Sequence, residues 1–112
     1  MDCIFCAIVA GEIPSDIVYE DKDVVAFKDI NPKAPVHVLV VPRRHIPSVN
    51  DITDADAELI GHIFVVARKI AEETGIAETG YRIVSNNGPE GGQEVDHLHI
   101  HVMGGRQMRA LG

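Results

Sequence analysis

Residues 97–101 read His-Leu-His-Ile-His, and this alternation restricts the fold more than any other feature of the chain. In a strand, successive side chains point to opposite faces. His97, His99 and His101 then share one face, and Leu98, Ile100 and Val102 share the other. One face is core and the other is a row of imidazoles about 6.5 Å apart. Such a strand needs a sheet with a hydrophobic layer behind it and a site in front. The Cα atoms of His97 and His101 would lie about 13 Å apart. Zinc holds its nitrogen ligands at about 2.0–2.1 Å. Three rings strung along one strand cannot converge on one ion without strong bending, so at least one is left for other work.

Neutral imidazole attacks phosphorus or carbonyl carbon readily, because its pKa lies near neutrality. Gly91-Gly92-Gln93 precedes the row and is expected to offer unhindered backbone N–H groups to anionic oxygens. A histidine nucleophile beside such a loop suits phosphoryl or nucleotidyl transfer. A single histidine would read as a core or surface residue; three in register behind a glycine loop read as a site.

The chain has 112 residues and a net charge of −7. That length fits one domain, 1–112, with a real core. The acidic balance argues against a nucleic-acid polymer or an anionic membrane as main partner. No apolar run approaches the roughly 18 residues of a membrane span, and no secretory signal is visible at the start, so a cytoplasmic protein is expected. Cys3 and Cys6 are the only cysteines. A Cys-x-x-Cys pair in this setting points to metal or redox chemistry rather than a structural disulfide, and its place at the N-terminus favours metal. Two cysteines make half a zinc site.

Ile17-Val18-Tyr19 and Val24-Val25-Ala26-Phe27 flank the polar segment 20–23 and predict strand, turn, strand. Two prolines make 31–35 a loop. His37-Val38-Leu39-Val40-Val41 predicts a central strand buried on both faces. A long helix follows. Thr53 and Asp56 form a capping-box pattern, Leu59, Ile63, Val66 and Ile70 recur at helical spacing, and Gly75 suits the C′ position. Ile60, Phe64 and Val65 widen the apolar surface, as they would if a second face met a partner subunit or if the core of a monomer covered them. A further strand is expected over Tyr81–Ser85, then a turn-rich loop over 86–93. The fold class is α+β, a mainly antiparallel sheet with one long helix packed on it.

Residues 91–102, Gly-Gly-Gln-Glu-Val-Asp-His-Leu-His-Ile-His-Val, resemble the motif of the histidine triad (HIT) superfamily. Cys3-Ile4-Phe5-Cys6, Gly11-Glu12-Ile13-Pro14-Ser15, Ala26-Phe27-Lys28-Asp29-Ile30, Ala34-Pro35-Val36-His37 and Gly104-Gly105-Arg106 look like its Hint branch, so the resemblance covers nearly the whole chain. It implies a homodimer, formed through the long helix and adjoining strand, that hydrolyses the P–N bond of purine nucleoside 5′-phosphoramidates. By the same resemblance His99 is the nucleophile, His101 binds phosphate oxygens, and His37 supports the ring of His99. Asp29 would accept the ribose hydroxyls. Ile4, Phe5, Ile13, Phe27 and Ile30 would line the base pocket, although for Ile13 plain core packing serves as well. Asn86, Gly92, Gln93 and Glu94 would surround the phosphate or leaving group. Structural zinc would sit on Cys3, Cys6, His45 and His97.

Two departures stand out. Glu94 occupies a position where many eukaryotic members carry Ser, and where bacterial-type members often carry Glu. A carboxyl there protonates a departing amine only if its pKa is raised. The C-terminus lacks the family's frequent aromatic tail, and the chain has no Trp. The alternatives are a dinucleoside polyphosphate hydrolase, which shares all three histidines, and a nucleotide-binding or zinc-sensing module with little turnover.

Overall fold

The computed structural model describes residues 3–111. A short helix, α1 (Ile4–Val9), precedes strands β1 (Ile17–Glu20), β2 (Val24–Lys28) and β3 (Val36–Pro42). The long helix α2 (Ala57–Glu73), strand β4 (Tyr81–Val84) and strand β5 (Ile100–Gly104) follow. The strands form one antiparallel sheet in the order β1-β2-β3-β5-β4, the α+β architecture the sequence predicts.

Alternation sorts the sheet into two faces. Val24, Ala26, Val38, Val40, Ile100 and Val102 point toward α2, where Ile63, Val66, Ala67, Ile70 and Ala71 complete the larger core with Ile76. Val25, Phe27, Leu39 and Val41 point the other way and pack on Phe5 and Ile8 of α1. β3 lies between β2 and β5 and is covered on both faces, as its apolar run Val38–Val41 requires.

The capping-box residues are where expected, but they open a 3₁₀ turn, Asp54–Asp56, before the α-helix begins. The Asp56 carboxylate accepts from the Thr53 N–H at 2.8 Å and from its hydroxyl at 3.2 Å, and pairs with Arg44. These bonds, that to Thr53 first, lower the Asp56 pKa. At the far end Gly75 takes φ +80° as the left-handed C′ residue. The helix buries one face only: Phe64 stays 48 % and Val65 43 % exposed.

The histidine row needs a correction. Only His101 lies within β5; His97 sits in a bend and His99 just before the strand. Leu98 donates its N–H to Ile46 O at 2.6 Å, a carbonyl outside the ladder, and this turns the chain out of the sheet. The three rings are therefore not evenly spaced posts on one strand.

Candidate functional site

The bend separates the histidines into two groups. The first gathers around α1. The Cys3 sulfur caps this helix by accepting the Cys6 N–H at 3.2 Å. His97 Nδ1 lies 3.3 Å from Cys3 Sγ, 3.5 Å from Cys6 Sγ and 3.2 Å from His45 Nδ1. Cys6 Sγ is 3.3 Å from His45 Nδ1. All four ligand atoms lie within 4.8 Å of one another, so the group could hold a metal ion. His97 is fully buried, and burial lowers its pKa. Its Nε2–H donates to Pro42 O at 2.8 Å, which leaves the Nδ1 lone pair for a metal. With no ion bound, burial first and then Cys3 push the Cys6 thiol up to about 11; a bound cation reverses that preference.

The second group lines a pocket of about 200 Å³ bounded by Asp29, Lys33, His37, Val84, Asn86, Gly92, Glu94, His99, His101 and Met103. Here each ring is fixed by a hydrogen bond that settles which nitrogen carries the proton. His99 Nδ1–H donates to His97 O at 2.7 Å, so its Nε2 holds the lone pair. His37 Nδ1 accepts the Lys33 backbone N–H at 3.0 Å. Its Nε2–H then donates to His101 Nδ1 at 2.9 Å, with Asp29 Oδ2 at 3.4 Å. His101 in turn carries its proton on Nε2. Burial, then His99 and His37, push His101 down to about 4, and burial lowers His37 as well. His101 is therefore neutral at pH 7.

His37 thus contacts His101, rather than supporting His99 as the resemblance implies. His99 is oriented by the His97 carbonyl and by Phe5, whose ring meets it edge-on at 5.0 Å. Phe5 also packs on Phe27 at 5.3 Å and His97 at 6.0 Å, so the two phenylalanines form a buried wall behind the histidines. Ile4, Ile13 and Ile30 are exposed, Ile30 at 87 %, which rules out core packing for Ile13.

The glycine loop also differs from expectation. The N–H groups of Gly92 and Gln93 already donate to Pro89 O and Gly88 O, at 3.1 and 3.0 Å. The Gln93 side chain accepts from Gly88 N–H and donates to Pro47 O and Val95 O. It braces the loop and has no spare N–H for a ligand. Asn86 donates to Gly91 O at 2.7 Å and tethers the same loop.

Lys33, Val84 and Met103 are pocket residues that sequence reasoning missed. Met103 could have been found, because it continues the alternation of His99 and His101 by one step. Val84 becomes visible only through its register with His101. Lys33 becomes visible only through the loop conformation that turns its N–H toward His37.

A larger groove, near 770 Å³, lies between the β1–β2 turn and the start of α2. Its central carboxylate is paired internally: Asp21 accepts from His62 at 2.6 Å, Tyr19 at 2.8 Å and two backbone N–H groups. These bonds outweigh burial and hold the Asp21 pKa below the usual carboxylate range. The groove tethers α2 to the sheet edge and brings no histidine pair or Cys-His group together.

Comparison with known proteins identifies the family. The HIT domain model matches residues 10–108. The chain is 50 % identical over 107 residues, 96 % of this chain and 90 % of the relative, to the purine nucleoside phosphoramidase of Escherichia coli strain K12. Among solved structures it superposes on a histidine triad protein from Clostridium difficile with a TM-score of 0.96 at 52 % identity, covering 100 % of this chain and 97 % of the other. A HIT family hydrolase from Legionella pneumophila gives 0.95 at 50 % identity, with 96 % of each chain covered. Sequence match and fold agree, and this chain belongs to the HIT domain family.

Proposed function

We propose that the protein is a nucleotide hydrolase that cleaves the P–N bond of purine nucleoside 5′-phosphoramidates through a covalent nucleotidyl-His99 intermediate. The observation that carries this is the bond from His99 Nδ1–H to the His97 carbonyl, which leaves Nε2 unprotonated in a pocket also lined by His101 and Glu94. The 50 % identity to a purine nucleoside phosphoramidase supports the substrate class. His99 Nε2 attacks phosphorus and the P–N bond breaks. The departing amine takes up a proton from water in the pocket, beside Glu94. The positive charge formed on His99 is stabilised at Nδ1–H by the His97 carbonyl. Water, losing its proton to Glu94, then displaces His99 and releases the nucleoside monophosphate. His101, neutral with a proton on Nε2, donates to a phosphate oxygen. Asp29 is assigned to the ribose hydroxyls. Ile4, Ile13 and Ile30 offer the apolar surface for the base, with Phe5 and Phe27 behind. Asn86 and Gly92 border the phosphate, and Gln93 acts by shaping their loop.

Two carboxylates, Asp29 and Glu94, and one ammonium, Lys33, border the pocket. That balance favours a singly phosphorylated substrate over a dinucleoside polyphosphate. We expect adenosine phosphoramidate to have the larger kcat/KM of the two under identical conditions. The reverse order would overturn the substrate assignment.

The four-residue Cys-His group fits structural zinc. A tetrahedral zinc with bonds of about 2.3 Å to sulfur and 2.0–2.1 Å to nitrogen separates its ligands by about 3.3 Å (N–N) and 3.6 Å (N–S). The N–N separation here is 3.2 Å and the N–S separations are 3.3–3.5 Å. Bound there, zinc would tie α1 to the segments carrying His45 and His97 and would supply folding energy rather than a reactive position.

Phe64 and Val65, exposed on α2, support a homodimer through that helix. Sedimentation at micromolar concentration is expected to give a dimer and, for Phe64→Glu, a monomer. A monomeric parent protein would contradict it.

A further inference from the structure

The segment after β5 reaches back to the triad pocket without lining it. Arg106 Nη2 donates to Lys33 O at 2.7 Å, and its Nη1 donates to Gln107 O at 2.9 Å. Gly105 holds φ +95°, and a Cβ there would meet the Pro35 ring at 2.9 Å, so the Gly105 backbone packs directly on that ring. Lys33 and Pro35 belong to the loop that leads into β3 and His37. Arg106 therefore fixes the carbonyl of the same residue whose N–H determines the tautomer of His37. Arg106 to Lys33 O (2.7 Å), Lys33 N–H to His37 Nδ1 (3.0 Å) and His37 Nε2–H to His101 Nδ1 (2.9 Å) form one continuous chain of contacts.

We propose that Arg106 is a positioning residue for the site: by clamping the main chain of Lys33 it locks His37 in its Nε2–H tautomer, and His37 in turn keeps the proton of His101 on the nitrogen that serves the substrate. Without the clamp the 31–35 loop can rotate its Lys33 N–H away. Both tautomers of His37 then become accessible, and His101 loses its fixed donor. The kinetic part of this assignment rests on the phosphoramidase reading, and the tautomer part does not.

Long-range ¹H–¹⁵N spectra of the imidazoles test it together with steady-state kinetics on adenosine phosphoramidate. In the parent protein His37 Nδ1 is expected to show an unprotonated-type signal. In Arg106→Ala that signal moves toward the tautomer average. In the same variant kcat falls by about 10- to 100-fold, KM changes less than about twofold, and the melting temperature stays within a few degrees, since Arg106 is exposed. Arg106→Lys, which retains one donor for Lys33 O, recovers most of kcat and the parent spectrum. Unchanged His37 signals in Arg106→Ala overturn the proposal, whether or not activity falls. If the parent protein does not turn over phosphoramidate but the tautomer still shifts, the reaction assignment fails and the positioning role stands.

Discussion

Two histidine groups sit a few residues apart in this chain, and their ring nitrogens are prepared for opposite purposes. In the group of Cys3, Cys6, His45 and His97, the outward nitrogen of His97 donates to Pro42 O, and its lone pair faces two sulfurs and a second imidazole. In the group of Asp29, His37 and His101, the ligand-type atoms also lie within 4.8 Å of one another. There, however, a backbone N–H occupies His37 Nδ1 and forces the proton onto the nitrogen that a metal would need. Proximity of histidines does not by itself make a metal site. The donor or acceptor on the far side of each ring decides whether an ion or a proton sits between them.

The sharpest way to break this comparison is to remove one histidine from each group. His99→Ala is expected to lower turnover by about 10³-fold or more while leaving metal content and melting temperature at parent values. His97→Ala should do the converse. Metal is lost and the melting temperature drops by about 10 °C or more, in line with the folding energy a structural ion contributes. The folded fraction still turns over, because the contact to His99 comes from the main-chain carbonyl of residue 97. Loss of activity without loss of metal in His97→Ala would erase the distinction between the groups. A smaller effect concerns stoichiometry: zinc should bind the untagged protein at one equivalent per chain. A second tight equivalent removed by His37→Ala would show that the Lys33 N–H does not exclude metal.

The smallest effect is on stability against pH. His101 titrates near 4 in the folded protein and near 6.5 when unfolded. Between these values the unfolded chain binds more protons. Stability therefore declines as pH falls from about 6.5 toward 4 and is independent of this group above that range. His101→Asn should flatten that part of the profile in urea titrations. An unchanged slope would mean that His101 is not buried as a neutral ring.

Much of this was legible before the structure. The strand-turn-strand at 17–27, the buried β3, the capping box at Thr53 and Asp56 and the helix end at Gly75 all follow from local rules, and local rules hold where neighbours in sequence are neighbours in space. The metal group was half legible: Cys-x-x-Cys announces itself, whereas His45 and His97 came from resemblance, since nothing local directs two distant histidines to one point. Alternation predicts a continuous strand through the row, and only His101 lies within one. The hydrogen bond from Leu98 to Ile46 that bends it is a tertiary contact with no sequence signature. The glycine loop misled for a related reason, because the N–H groups of Gly92 and Gln93 bond within their own turn. The partner of His37 depends on β3–β5 register, which pairs Leu39 with His101 and His37 with Met103. Alternation within each strand leaves open whether His37 and His101 share a face; register places them on one face and brings their rings to 2.9 Å.

The covalent role of His99 is the central claim, and a single-turnover experiment tests it most directly. Protein in excess over adenosine phosphoramidate, quenched in denaturant within one turnover and digested, should yield the peptide containing His99 heavier by one adenylyl group. The adduct should be absent from His99→Ala and should decay at the rate of adenosine monophosphate release. Amine release in a burst with no such adduct, or an adduct on another residue, would contradict the account.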